Sequence, residues 1–360
     1  MRVLTTAFWH SDAVGAVHPS YAGIDVSLEL SSVCVVDATG RIVREAKVAS
    51  EPEALIACLR GLGLELARVG LEAGPLSQWL YAAMRDAGLP VELLETRHVR
   101  DAFKAMPVKT DRKDARGIAQ LLRLGWFRPV HCKSVSAQET RALLTARKLL
   151  QTKHIDVEMS LRGLLRGFGL KVGPTTSRGF AARIRELVEG HAILTAVADA
   201  LLAARETLGA QLRDLEKRLR DQARQEKRVR LLMSVPGVGV IVALTFAAAV
   251  DDPGRFRSSK TVGAHFGLAP KRYQSGETDV TGRISKMGDA NVRATLYEAA
   301  NIILTRPVKG SAPKSWAARL ARRTGMRKAK VALARKLAVV MHRMLVTGKP
   351  FAAEHAAAAA

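Results

Sequence analysis

Four acidic residues stand where a chain would put them to hold divalent cations. Asp25 lies inside an apolar run, Tyr21-Ala-Gly-Ile-Asp-Val-Ser27, and Glu72 closes a second, Val69-Gly-Leu-Glu72. Asp111 and Asp114 are three residues apart in Lys109-Thr-Asp-Arg-Lys-Asp114. That spacing is one helical turn, so the two share a face. A carboxylate in an apolar strand is costly unless it is paired or bound to a cation, which makes Asp25 the strongest of the four. Mg2+ takes oxygen ligands and keeps several waters. Two such ions about 4 Å apart activate an attacking oxygen and stabilise a leaving one. Each carboxylate taken singly also reads as a solvated surface charge; the set carries the argument.

The elements around them must bring the four together. Residues 21–37 read as a strand, a short turn and a second strand. Thr39-Gly40 turns the chain into a third strand from Arg41 to Val48, a hairpin meander. Ser50-Glu51-Pro52-Glu53 reads as a capping box opening a helix to about Leu62. A short fourth strand covers Arg68 to Glu72, a helix runs from Pro75 to near Gly88, and a fifth strand covers Val91 to Leu94. Asp111 opens an amphipathic helix with Ile118, Leu121 and Leu122 on its apolar side. Three strands, then helix, strand, helix, strand and helix, is the order of a ribonuclease H-like fold. There the first and fourth strands are neighbours. Asp25, in the middle of the first, and Glu72, at the end of the fourth, then reach one region of the sheet. Arg112 and Lys113 point away from the acidic face and are available to phosphate.

Charge names the partner. The chain has 360 residues and a formal net charge of +24. The first hundred residues hold 9 Lys+Arg against 12 Asp+Glu, the remainder 48 against 21. The basic remainder favours a polyanion, with salt-dependent affinity. Arg322, Arg323, Arg327 and Lys328 form its densest stretch near the C-terminus. A membrane is not expected, because no 18-residue apolar run exists. His10, Ser11 and Asp12 interrupt any signal-peptide core. Cys34, Cys58 and Cys132 lack CxxC spacing and read as buried or free thiols of a cytoplasmic protein.

From Ser136 the chain reads as helical. Ser136-Ala-Gln-Glu139 is a second capping-box pattern, and Leu194, Leu201, Leu208 and Leu215 recur every seven residues. This fits a coiled coil or an antiparallel helical hairpin, or an ordinary long core helix. Gly167 to Ser177 reads as the connecting loop. Val235-Pro-Gly-Val-Gly239 precedes an apolar helix from Ile241 to Val250, like the hairpin of a helix-hairpin-helix element. Gly237 and Gly239 would let backbone N–H groups approach a phosphate; a tight turn between packed helices is the alternative. Residues 267–287 read as an irregular, basic, Gly-rich loop containing Ser275-Gly276 and Gly282-Arg-Ile-Ser-Lys-Met-Gly-Asp289. A serine there is either a nucleophile toward phosphate, helped by basic neighbours such as Lys286 and Arg293, or a turn-capping residue. Asp289 reads as the N-cap of a helix to about Leu304, and Lys314 to Val346 as mostly helical.

Gly23-Ile-Asp25, Glu72-Ala-Gly74, Lys109-Thr-Asp-Arg-Lys-Asp114, Val235-Pro-Gly-Val-Gly239, Gly267-Leu-Ala-Pro270, Ser275-Gly276 and the block to Asp289 together resemble the DEDD transposases of bacterial insertion sequences. That group includes Piv-type DNA invertases and RNA-guided bridge recombinases, and the likeness covers roughly residues 20–350. It implies a RuvC-like DEDD catalytic domain over 20–130, a helical coiled-coil region over 131–228 and a mainly helical C-terminal transposase domain over 229–350. These would be flanked by an extension over 1–19 and a disordered tail over 351–360. It further implies that Asp25, Glu72, Asp111 and Asp114 hold Mg2+ and that a C-terminal serine attacks DNA to form a covalent intermediate. Ser275 is the first choice and Ser285 the second; the chain has Glu277 where the family often has a second Gly. DNA, a structured guide RNA and a homodimer or homotetramer are the partners implied. The alternatives are a metal-dependent nuclease of the Holliday-junction type, working without a serine, and a catalytically silent nucleic-acid-binding protein.

Overall fold

The structure, a computed structural model, describes residues 19–104, 110–307 and 312–351. Residues 1–18 of the extension expected over 1–19, Lys109, and residues 352–360 of the tail expected over 351–360 lie outside the described residues. The chain divides into two units, Met1–Lys133 and Ser134–Ala360.

In the first unit the strands are β1 (Ser20–Asp25), β2 (Leu30–Val36), β3 (Ile42–Ala49), β4 (Leu66–Glu72) and β5 (Val91–Leu94). The helices are α1 (Pro52–Arg60), α2 (Ser77–Asp86), α3 (Thr96–Phe103) and α4 (Asp111–Arg123). The sheet order is β3-β2-β1-β4-β5. β1 pairs antiparallel with β2 and parallel with β4, so the hairpin meander and the parallel strands join at β1. This mixed sheet fits a ribonuclease H-like DEDD domain. Alternation along the strands divides the residues between two faces. Ala22, Ile24, Val33, Val35, Val69 and Leu71 form one core with Leu55 and Leu59 of α1 and Leu80 and Met84 of α2. The intervening residues face α4, where Cys34 and Val36 pack with Ala115 and Ala119.

Two expectations fail here for local reasons. Ser50 does not cap α1. Its hydroxyl donates to Ser27 O at 2.8 Å, and the N-cap position falls on Glu51 without a side-chain bond. Asp25 ends β1 instead of lying mid-strand.

In the second unit α5 (Val135–Arg166) and α7 (Ala192–Gln225) pair antiparallel, joined through α6 (Phe180–Val188). Thr140, Arg147 and Glu158 along α5 meet Gln222, Glu216 and Arg205 in reverse order along α7. The seven-residue leucines are only half-buried. The buried line of α7 is Ala198, Leu202, Gly209, Leu219 and Ala223, because a helix of 3.6 residues per turn drifts off a strict heptad line. The second capping box also moves: α5 is capped by Ser134, whose Oγ accepts from Ala137 N at 3.2 Å. Asp251 Oδ1 accepts from that hydroxyl at 2.6 Å.

Short α8 (Lys227–Met233) and apolar α9 (Val240–Val250) follow, then α10 (Ser259–His265), α11 (Ala290–Thr305), α12 (Ala312–Thr324) and α13 (Met326–Thr347). Their core centres on α9, with Phe246, Phe266, Leu296, Leu333 and Leu337 among its members. Among the described residues no helix is long and apolar enough to cross a membrane. Residues 267–287 are not irregular throughout. They contain a hairpin, β6 (Pro270–Ser275) and β7 (Thr278–Ile284), with Tyr273 opposite Val280. Its strands are exposed along almost their whole length, so they carry no apolar alternation for a sequence reading to find.

Candidate active site

A row of small residues lets α4 lie on the sheet. Gly70, Gly23 and Cys34 are register partners across β4, β1 and β2, and Glu45 of β3 ends the row. A Cβ on Gly23 would stand 2.2 Å from Ala115 O and 2.4 Å from Ala119 N. Only glycine permits that approach of helix backbone to strand. Gly70 likewise leaves room for Leu122. α4, whose first turn carries Asp111 and Asp114, is thereby held against β1 at Ala115 and Ala119. Thr110 caps it, its hydroxyl accepting from Lys113 N at 3.3 Å. Carboxylates in a first helical turn also favour the positive end of the helix dipole.

Asp25 and Glu72 belong to the same face. Each is two positions beyond a glycine of the row, Gly23 and Gly70, and strand alternation returns it to the α4 side. They end neighbouring parallel strands, one residue past the partners Ile24 and Leu71. Both line a cavity of about 320 Å³ shared with Val26, Ser27, Leu28, Ala73, Gly74, Pro75 and Leu76. Asp111 and Asp114 do not line it. Among the described residues no three His, Cys, Asp or Glu side chains cluster closely enough to hold a metal ion. The donor set nevertheless suits Mg2+, which is commonly held by one or two carboxylates with water and substrate phosphate completing its shell.

Arg112 is not left open to phosphate: it and Arg116 both donate to Glu45. Hydrogen bonds from Arg116 first and Arg112 second lower the Glu45 carboxyl to about 2. The sequence reading missed Glu45. Its only trace there is an acid in an otherwise basic and apolar strand.

In the second unit Ser275 ends β6, exposed, beside Gly276 at φ +55. Ser285 is half-buried and its Oγ accepts from Met287 N at 3.4 Å. The base of the hairpin is tightly held. A Cβ on Gly267 would meet Met287 O at 2.2 Å, and one on Gly288 would meet His265 O at 2.2 Å. Arg293 Nη1 donates to Phe266 O, Met287 O and Gly288 O at 3.2, 2.6 and 3.0 Å. Its guanidinium braces this crossing, while Lys286 stays exposed at φ +56. Asp289 caps α11, accepting from Asn291 N and Val292 N, and pairs with Arg141 at 2.6 Å. Gly237, at φ +85, packs its turn on α11, where a Cβ would stand 2.5 Å from Ile303 Cγ1. Gly239 precedes α9 with open space around it. Arg322, Arg323, Arg327 and Lys328 are all exposed on α12 and α13.

These two arrangements coincide with two family profiles. A DEDD transposase profile of the IS110 type matches residues 22–169. A profile described as transposase of the IS116/IS110/IS902 family matches residues 229–314. The transposase of insertion sequence element IS1111A from Coxiella burnetii is 30% identical over 336 residues, 90% of this chain and 88% of that relative. The chain belongs to the IS110/IS116 family of transposases.

A probable family 20 transposase of Pseudomonas aeruginosa is 28% identical over 340 residues, covering 91% of this chain and 96% of that one. The transposase of element IS1328 from Yersinia enterocolitica is 25% identical over 243 residues, 66% of this chain and 71% of its own. In this transposase the first profile covers the sheet, α4 and all of α5, and the second covers the turn before α9, the hairpin and α11. DNA is the substrate that the family implies.

Proposed function

We propose that this transposase cleaves and rejoins DNA in the cytoplasm through a Mg2+-dependent acidic site and a serine nucleophile. The observation that carries the acidic half is the placing of Asp25 and Glu72 on neighbouring strand ends in one cavity, on the sheet face where α4 is docked. Asp25, Glu72, Asp111 and Asp114 would hold the ion, which supplies charge neutralisation at the scissile phosphate. Ser275 Oγ attacks phosphorus. The new serine–phosphate ester forms as the bond to the leaving deoxyribose oxygen breaks. The serine proton goes to solvent, and the leaving oxygen takes one up. The phosphodiester energy is kept in the adduct, so attack by another strand's hydroxyl rejoins DNA without an outside energy source.

The exposure of Ser275 at the hairpin tip supports it over Ser285, whose hydroxyl is engaged in its own turn. A structured guide RNA and a homodimeric or homotetrameric assembly complete the reading. They rest on the family resemblance and on the basic excess beyond residue 100. The test is cleavage of element-end DNA with Mg2+, resolved under denaturing conditions. Protein-linked DNA supports the recombinase, free ends a junction-type nuclease, and intact DNA a binding protein.

A further inference from the structure

The cavity that holds Asp25 and Glu72 is mostly apolar around them. Val26 and Leu28 come from the β1–β2 turn, Pro75 and Leu76 from the segment leading to α2. Its volume of about 320 Å³ falls within the roughly 300–1,000 Å³ of ligand clefts. Such a lining does nothing for an ion or a phosphate, both of which need polar partners. It suits a flat, weakly polar group attached to the phosphate.

Leu28 is the least ordinary member. It is 81% exposed, yet its backbone is anchored on both sides. Ser50, itself buried, donates from Oγ to Ser27 O and from N to Glu29 O, each at 2.8 Å. Ser31 Oγ joins Ser50 Oγ at 2.8 Å. A single exposed leucine needs no explanation in general. A leucine held outward by a pinned turn, at the lip of a carboxylate cavity in a DNA-processing protein, has a specific use. DNA-binding proteins insert apolar wedges between base steps and unstack them.

We propose that this apolar wall is a subsite for an unstacked nucleobase next to the scissile phosphate, with Leu28 as the wedge that parts it from its neighbour. The proposal rests on the carboxylate reading above and adds the form of DNA that the site accepts. The occupant is a base of the DNA substrate, since the cavity opens on the carboxylates that the phosphate must reach. Leu28 is then a positioning residue: it acts on the base stack and not on the reacting atoms.

The experiment uses the full chain with element-end duplexes carrying 2-aminopurine at single positions around the cleavage step, whose fluorescence rises on unstacking. Binding without Mg2+ should raise the signal at one step for the wild type and for Leu28→Phe. Leu28→Ala should bind equally but leave the signal low. With Mg2+, Leu28→Ala should cleave paired duplex roughly tenfold or more slowly, as loss of an unstacking contact implies. A mismatch at that step should restore its rate. Leu28 is exposed, so its variants fold. A wild-type signal and rate in Leu28→Ala overturns the proposal, as does slow cleavage that a mismatch fails to restore. Asp25→Ala separates the two readings. It should keep the fluorescence rise and lose cleavage; unchanged cleavage there defeats the carboxylate reading, whatever the Leu28 variants do.

Discussion

Arg112 of α4 donates its Nε to Glu45 Oε2 on β3 at 2.7 Å, and its Nη2 reaches the same oxygen. Arg116, one turn later, donates Nη2 to that oxygen at 2.9 Å and Nε to Oε1. The two arginines bracket Asp114 in sequence. Glu45 also ends the register row of Gly70, Gly23 and Cys34 on which α4 lies. The glycines set how close the helix comes, and Glu45 sets its rotation and position along the sheet.

This pair predicts a pH dependence with a definite sign. The hydrogen bonds from Arg116 and Arg112 lower the Glu45 carboxyl from 4.5 to about 2. A carboxyl lowered on folding stabilises the fold fully above its unfolded value, and that stabilisation is lost as pH falls toward the folded value. The loss should therefore run from about 4.5 down to about 2. Glu45→Gln removes this contribution. Thermal unfolding followed through that range should show a shallower decline for the variant than for the wild type. Parallel curves would mean that the pair adds nothing. Arg112 is largely exposed, so added salt should narrow the difference.

Gly23→Ala tests the close approach. Its methyl would meet helix backbone at 2.2 and 2.4 Å, and backbone cannot swing aside as a side-chain end can. α4 must shift, at a cost on the order of 1–3 kcal/mol, taking Asp111 and Asp114 with it. Cleavage should fall along with the unfolding midpoint. Gly163→Ala is the control, since it lies within α5 with open space around it; it should be neutral or slightly stabilising. Equal behaviour of the two variants would refute the docking role of Gly23.

Asp25→Ala, Asp111→Ala and Asp114→Ala should each abolish strand cleavage while leaving DNA affinity largely intact. On the proposed reading each removes a metal ligand and no phosphate contact. The loss should exceed the roughly 10–100-fold typical of an outer-shell partner. Glu72→Ala should match Asp25→Ala, its cavity partner. Cleavage at an unchanged rate with Mg2+ in any of the four removes that residue from the site.

How much of this was legible depended on the physics of each segment. The five strands showed in the sequence as short apolar, β-branched runs, since the central ones are buried on both faces, and α4 showed through the helical spacing of Ile118, Leu121 and Leu122. The β6–β7 hairpin did not, since neither of its faces is buried and its turn needs only Gly276. The helix starts read at Ser50 and Ser136 moved for different reasons. The Ser50 hydroxyl has a better partner in Ser27 O, whereas at α5 another serine two residues earlier, Ser134, takes the cap. The four carboxylates were visible as residue types. The meeting of Asp25 and Glu72 at neighbouring strand ends followed from the strand order; the glycine docking of α4 did not show, and Glu45 was missed because its partners lie 67 and 71 residues away.

The basic stretch at α12 and α13 should act through counterion release. Replacing Arg322, Arg323, Arg327 and Lys328 with Ala should lower nucleic-acid affinity and flatten its dependence on salt. The slope should fall by about 0.9 per lost contact on duplex DNA. All four side chains are exposed, so the fold should survive. An unaltered affinity and slope would reduce this stretch to a solvated helix surface.

Ser275 lies in the second unit and the carboxylates in the first, so catalysis requires both units to reach one phosphate, from one chain or from two. A nucleophile on an exposed hairpin with a braced base suits that demand. Arg293 and the Gly267–Met287 crossing fix where the hairpin starts, and Gly276, at φ +55, makes its turn. Ser275→Ala should fold, bind DNA and bind Mg2+, but form no covalent adduct. Ser275→Cys should retain some, since a thiolate is also nucleophilic. The measurement is trapping with Mg2+ and element-end DNA, followed by peptide mapping of the linked residue. An adduct on Ser285 would keep the mechanism and refute the residue. A wild type that cleaves DNA yet never forms an adduct would leave the four carboxylates working as a nuclease with water.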